Sequence, residues 1–295
     1  MQTGEKGLKF NERYEQYLRL FDNRLNEFLI DIKQKTIPAL FNGIKYSIKN
    51  GGKRIRPVLC LAVSDILNID LKRASYFALA VELIHSYSLV HDDLPAMDND
   101  DYRRGKLSTH KKFGEANGIL IGDGLLNLAF EEMLSIPDIS ANELSAVRLI
   151  AEKAGAFGMI KGQYLDLNKC TDSEDMLLLI DEYKTSMLIE AAILSVSLIS
   201  GGRFYKELSE YSKNLGLMFQ FTDDILDVEG DFSLLGKSVK KDDSENKLTA
   251  VRVYGLENAK KENRKFFEKC LNSLNSIDNS EFLKELTENL FNRNK

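Results

Sequence analysis

Cysteine, proline and histidine are all scarce in this sequence. The only cysteines among 295 residues are Cys60, Cys170 and Cys270, far apart and odd in number. That spacing excludes a disulfide framework and a clustered thiolate metal site, and it points to a reducing, cytoplasmic setting. With just four prolines (Pro38, Pro57, Pro95 and Pro137), long stretches are free to form helix, and the 19 glycines are not gathered into linkers. An excess of positive charge is also missing. A net charge of -5 and a pI near 5.5 argue against nucleic acid as a partner. Long apolar runs are absent as well. The longest uncharged stretch, AAILSVSLISGG at 191–202, is too short to span a bilayer, and MQTGEKGLKFNERYEQY at the start lacks the apolar core of a signal peptide.

What remains is helix-forming sequence. Leu, Ile, Lys, Glu and Ala dominate, 43% of residues are hydrophobic and 29% charged, and the length suffices to bury a large core. An all-α, single-domain fold over 1–295 is the expectation. Helical patterning covers 8–35, where Leu18, Phe21, Leu25, Phe28, Leu29 and Ile32 form an apolar stripe, then a second helix that Gly51 and Gly52 stop near Asn50. Further runs span 57–67, 70–92, 115–135, 139–168, 172–200, 205–229 and 247–292, the last broken at LNSLNSIDNS. Two polar stretches, 93–110 and 230–246, resist helix assignment, and each follows an aspartate cluster at a helix end.

The second cluster reads FQFTDDILDVEGD. Asp223 and Asp227 stand about 40° apart on one helical face, and Gln220 and Asp224 lie within about 100° of that stripe. Phe221, Ile225 and Val228 occupy the neighbouring face and are expected in the core. Carboxylates stacked this way repel one another unless a cation lies between them, although a lone acidic motif is more often a solvated edge. The first cluster, HDDLPAMDNDDYRRG, places Asp92 and Asp93 on the last helical turn before Pro95 and Asp98 on the loop beyond. The helix dipole is negative there, so local electrostatics oppose the arrangement and a cation would relieve it. All-oxygen ligands without a Cys or His cluster select Mg²⁺, which keeps several waters and favours substrate phosphates. Two such helix ends could grip one diphosphate through bridging ions. Cations recur in nearby loops: Lys53, Arg54 and Arg56 in GGKRIRP, Arg103 and Arg104 in YRRGK, Lys184 in EYKTS, and Lys237 and Lys247. Singly, each is most often a solvated charge; together they suit phosphate recognition.

In this order, from GGKRIRPVLC at 51 to NKLTAVRVYGLENAK ending at 260, the motifs resemble those of the short-chain isoprenyl diphosphate synthases, the trans-polyprenyltransferases, and are most similar to the bacterial farnesyl-forming branch. The resemblance implies a helical bundle around a large central cavity, a homodimer, and isopentenyl and allylic diphosphates as substrates. It matches Asp92, Asp98 and Asp223 to Mg²⁺ ligands, with Asp93, Asp224 and Asp227 supporting them directly or through water. Three Mg²⁺ ions per site are expected when diphosphate is bound. It matches Arg103, Lys184, Lys237 and Lys247 to the allylic diphosphate, and Lys53, Arg56, His85 and Arg104 to the isopentenyl diphosphate pocket. Thr185 and Gln220 match groups beside the developing carbocation. Tyr87 and Ser88 stand before Asp92 where an aromatic closes the floor near a fifteen-carbon product; ordinary core packing of Tyr87 is the alternative, and the twenty-carbon geranylgeranyl product the runner-up.

Departures from the pattern are small: Ser186 for a commoner glycine, Lys240 for a glycine after the GK, and Val251 for a proline. The Glu82–His85 spacing suits helical di-iron proteins, but Ser88 and Leu107 stand three residues before the other two histidines, His91 and His110, so no second pair exists. The GKS at 236–238 does not complete a phosphate loop, since Gly230 lies one residue too far upstream. A class I terpene cyclase would not need Lys53, Arg56 and Arg104 for a second diphosphate. A regulatory subunit of a two-component synthase would lack the aspartate clusters, and both are intact here.

Overall fold

The computed structural model describes residues 2–235 and 247–293, with side chains from 9–229 and 247–293. Among the described residues it is helical throughout, apart from a two-residue antiparallel hairpin, as an all-α fold requires. No helix there is long and apolar enough to cross a membrane. Two compact units divide the chain, Met1–Val147 and Arg148–Lys295.

The first unit is built around one helix. It contains α1 (Gln2–Lys35), α2 (Pro38–Ile48), α3 (Ile55–Ile66), α4 (Leu71–Asp92), the strands β1 (Tyr102–Arg103) and β2 (Lys106–Leu107), α5 (Thr109–Phe113) and α6 (Glu115–Leu134). Asp70 caps α4 by accepting the Lys72 N–H at 2.8 Å. Phe77, Leu79, Val81, Leu83 and Ile84 point to all sides of α4, and each is fully buried, so the helix is apolar all round and sits inside α1, α2, α3 and α6. The stripe on α1 is as expected except at its start. Tyr17, not Leu18, is buried there, because its hydroxyl reaches Asp65 at 2.8 Å while its ring fills the core.

The helix α7 (Ala141–Ala154) contains the division between units. The second unit continues with α8 (Met159–Leu167), α9 (Glu174–Asp181), a π-helical turn (Glu182–Ser186), α10 (Met187–Ile199), α11 (Tyr205–Leu235), α12 (Ala250–Tyr254), α13 (Leu256–Ser273) and α14 (Glu281–Phe291). Three expectations change. The run 139–168 is two helices, since the sequence GAFG at 155–158 interrupts it. Helix α11 continues past 229 to Leu235, because a lone glycine costs about 1 kcal/mol without ending a helix. Val228 is 43% exposed rather than buried, as its neighbours Asp227 and Glu229 are also exposed. Phe221 and Ile225 do enter the core, with Phe221 edge-on to Phe266 at 5.2 Å.

Candidate active site

In the first unit, the end of α4 carries the aspartates. Asp92 closes the helix and is half-buried, and Asp93 caps it with its N–H bonded to Leu89 O. The chain then turns back so that the Asp98 N–H donates to Asp92 O at 2.8 Å, which holds Asp98 beside the helix end, also half-buried. Arg103, presented by β1, donates from Nε to Asp93 Oδ1 at 2.9 Å and from Nη2 to the same oxygen. Burial pushes the Asp93 carboxyl up, and the Arg103 guanidinium opposes that shift.

Arginines converge around His85. Arg54 takes a left-handed backbone (φ 51°) and turns its guanidinium inward, donating to Ile48 O at 2.5 Å and Glu82 Oε1 at 2.5 Å. Glu82 is thereby used in a buried ion pair, which closes the di-iron reading from the structural side. Arg104 donates to Gly51 O, tying the hairpin to the GGKRIRP loop. Burial first, then Arg56, Arg104, Arg54 and Arg103, hold the His85 pKa well below 6.5. His85 is therefore neutral at pH 7, and its surroundings are strongly positive. Lys53 is exposed in the same loop, and Arg56 is half-buried on the first turn of α3. Tyr87 is buried, packs edge-on against His91 at 5.8 Å, and has its hydroxyl pushed to about 12 by burial and by Asp92. Ser88 donates to His85 O at 3.0 Å.

In the second unit, the π-turn presents Lys184 and Thr185. It exists because two helices approach it closely: a methyl at Gly162 would come to 2.6 Å of the Lys184 Cα, and one at Gly216 to 2.5 Å of the Ser186 Cα. Only glycine admits both backbones, and π-turns of this kind recur at functional sites. Lys184 Nζ pairs with Asp166 at 2.6 Å. Thr185 Oγ1 donates to Gln220 Oε1 at 3.2 Å, Gln220 Nε2 donates to Asp224 Oδ1 at 3.0 Å, and the Ala250 N–H donates to Asp224 Oδ2 at 2.7 Å. This chain runs from the π-turn to the segment carrying Lys247, which is half-buried. Burial raises the Asp224 pKa to about 6, against the hydrogen bonds from Ala250 and Gln220. Burial, then Asp224, raises Asp181 well above the usual carboxylate range. Asp227 is exposed, and Asp223 accepts a 2.6 Å bond from Arg293. Lys237 and Lys240 lie outside the described residues.

Sequence reasoning missed Arg293, Asp166 and Asp181. Arg293 also donates to Phe219 O at 3.0 Å and stacks 4.0 Å over that ring, yet nothing local in NRNK signals it. Asp166 and Asp181 carry no spacing cue and are recognised only from what surrounds them. Among the described residues no three His, Cys, Asp or Glu side chains form a ready metal cage. Mg²⁺ does not require one, since one or two carboxylates with waters and phosphates suffice. The half-buried Asp92 and Asp98 in one unit, and the partly exposed Asp223 with Asp227 in the other, offer oxygen donors of that kind.

The Polyprenyl synthetase family model matches residues 37–290, across both units. The chain belongs to the polyprenyl synthetase family. Within that family it is 44% identical over 250 residues to the farnesyl diphosphate synthase of Micrococcus luteus, covering 82% of this chain and 84% of the relative. It is 38% identical over 267 residues to the chloroplastic geranylgeranyl pyrophosphate synthase 7 of Arabidopsis thaliana, covering 88% and 77%. A geranyltransferase from Helicobacter pylori, solved with magnesium and isoprenyl diphosphate, superposes with a TM-score of 0.75 at 31% identity over 94% of this chain and 96% of that one. Membership of this family makes the chain a short-chain prenyltransferase.

Proposed function

We propose that this synthase condenses isopentenyl diphosphate with dimethylallyl or geranyl diphosphate and releases farnesyl diphosphate. The observation that carries the reading is the arginine pair Arg56 and Arg104 beside neutral His85, separate from the Arg103 that pairs with Asp93. A cyclase acting on one diphosphate has no use for this second cationic set, whereas a condensing enzyme needs it. The M. luteus relative and the H. pylori structure bear names that agree with this substrate class.

In this reading Lys53, Arg56, His85 and Arg104 hold isopentenyl diphosphate, and Arg103, Lys184, Lys237 and Lys247 hold the allylic diphosphate. Asp92, Asp98 and Asp223 would hold Mg²⁺, with Asp93, Asp224 and Asp227 supporting them directly or through water, three ions per site with diphosphate bound. Mg²⁺, when bound, supplies neutralisation of the charge that grows on the leaving diphosphate. Thr185 gives its only hydroxyl proton to Gln220 Oε1, and the Gln220 amide nitrogen is turned to Asp224. Both groups therefore offer oxygen lone pairs to a developing allylic cation, without a nucleophile that would capture it. The isopentenyl double bond attacks that cation, and the proton it loses passes to the departing diphosphate. Apolar helices keep water from the cation.

Tyr87, one turn and a residue before Asp92, closes the tail channel near fifteen carbons, which favours farnesyl over the geranylgeranyl product of the Arabidopsis relative. One synthase domain spanning both units, a homodimeric assembly and a cytoplasmic location complete the proposal; the three unpaired cysteines support the last. The test is purified protein with Mg²⁺, labelled isopentenyl diphosphate and each allylic primer, with products sized by carbon number. Fifteen-carbon product is expected. Asp92→Ala and Asp223→Ala should each abolish turnover, and Tyr87→Ala should yield longer chains. Unchanged products from Tyr87→Ala would refute the account of length control, and full activity in chelator would refute the metal assignment.

A further inference from the structure

The loop that joins α2 to α3 is built from backbone that needs outside support. Gly51 (φ 89°), Gly52 (φ 118°) and Arg54 (φ 51°) all take positive φ, and Arg54 stands at the N-cap of α3. Ties reach it from two sides. The hairpin supplies one set: Arg104 donates to Gly51 O, and Asn50 Nδ2 donates to Arg103 O at 3.2 Å. The other comes from α1, where the Tyr14 hydroxyl donates to Lys53 O at 2.5 Å, across 39 positions.

That second tie acts on a sensitive place. The peptide between Lys53 and Arg54 is planar, so swinging its carbonyl changes the Lys53 ψ and the Arg54 φ together. The Tyr14 bond therefore bears directly on the left-handed residue, whose conformation is disfavoured unless its surroundings hold it. Burial, then Glu15 and Glu82, push the Tyr14 hydroxyl up to about 12, so it stays a donor through the neutral range. Seating α1 is the task of other residues. Arg13 Nη2 and the Tyr17 hydroxyl both reach Asp65 Oδ2 on α3, at 2.9 and 2.8 Å, and Tyr17 is 1% exposed where Tyr14 is half-buried. What the Tyr14 hydroxyl holds is the loop.

We infer that Tyr14 is a positioning residue for isopentenyl diphosphate: its hydroxyl fixes the Lys53–Arg54 peptide, and so sets the backbone from which Lys53 and Arg56 reach the second diphosphate. The inference rests on the prenyl-transfer reading and deepens it, bringing α1 into the construction of that pocket.

The experiment compares Tyr14→Phe with Tyr17→Phe, each of which removes one hydroxyl from α1. Tyr14→Phe should raise KM for isopentenyl diphosphate about 3–10-fold, the effect of one lost hydrogen bond, with the allylic KM within about twofold. Deuterium uptake over residues 50–56 of the free full chain, followed by mass spectrometry, should quicken by about the same factor. Tyr17→Phe, which loses its bond to Asp65, should lower the melting temperature at least as much as Tyr14→Phe, yet keep KM for isopentenyl diphosphate within about twofold. Equal rises in that KM from the two variants overturn the inference, because α1 would then be only a brace. An unchanged KM or unchanged uptake in Tyr14→Phe overturns it too. Calorimetric binding of isopentenyl diphosphate needs no turnover and should weaken by about 3–10-fold in Tyr14→Phe. Weakened binding beside an unmodified protein that condenses nothing would sink the prenyl-transfer reaction alone, whereas undiminished binding would sink the role given to Tyr14.

Discussion

Replacing Glu82 isolates what a single buried charge does for the substrate loop. Glu82 is 3% and Arg54 11% exposed at their side chains, and they meet at 2.5 Å. Arg54 also carries a left-handed backbone, a conformation that costs a non-glycine residue about 1–2 kcal/mol unless its surroundings hold it there. Glu82→Leu leaves the guanidinium buried with Ile48 O as its remaining acceptor of the two, and breaking a buried pair from one side costs about 3–5 kcal/mol. Glu82→Gln keeps an acceptor in place and removes only the charge, so about 1.5–3 kcal/mol is expected. An unfolding entropy of about 2.1 cal/mol/K per residue makes the larger loss about 5–8 °C in Tm for a chain this long. Lys53 and Arg56 flank Arg54, so KM for isopentenyl diphosphate should rise in both variants while the allylic KM changes little. Thermal unfolding by circular dichroism and initial rates with each substrate varied separately make the check. Tm values for both variants within about 1 °C of the unmodified protein would refute the claim that this pair holds the loop.

Gly162→Ala drives a methyl into the backbone of the π-turn and should destabilise by about 1–3 kcal/mol or more, with kcat falling as Lys184 and Thr185 move. Gly124→Ala, whose nearest neighbour would be the Ile44 Cδ1 at 3.7 Å, is the control and should be neutral or stabilising by up to about 1 kcal/mol in melts. His85 should remain neutral through pH 7, and adding pyrophosphate should raise its pKa by offsetting the arginines, seen as a shift of its ring-proton titration by NMR. The sign for stability follows from the lowered folded value. The unfolded chain takes up a proton below about pH 6.5 that the native state refuses, so stability falls as pH drops through that range, and His85→Gln should flatten the fall in denaturant titrations.

The helices were legible because their signals are local. Apolar positions recur at helical spacing through α1 and α11, Gly51 and Gly52 stand just past the end of α2, and Pro95 stands just past the end of α4. The aspartates could be found for the same reason, since adjacency and a four-residue step are visible in FTDDILD. Length of helix was less legible. A glycine at 230 failed to stop α11, while GAFG at 155–158 did divide α7 from α8, and the difference is one glycine against two within four residues. Even buried faces were misjudged at their ends, as Leu18 and Val228 show.

Sequence alone determined that this chain is helical, belongs with the diphosphate-handling synthases, and carries two carboxylate-rich helix ends with arginines and lysines in the loops. Tertiary structure alone decided which of those charges are spent on one another. Arg293 reaches Asp223 across 70 positions and Arg54 reaches Glu82 across 28, and the π-turn exists only because glycines from α8 and α11 let two other backbones come close. Patterning records which way a residue faces along its own helix; it holds no record of which distant donor will meet it when the helices pack.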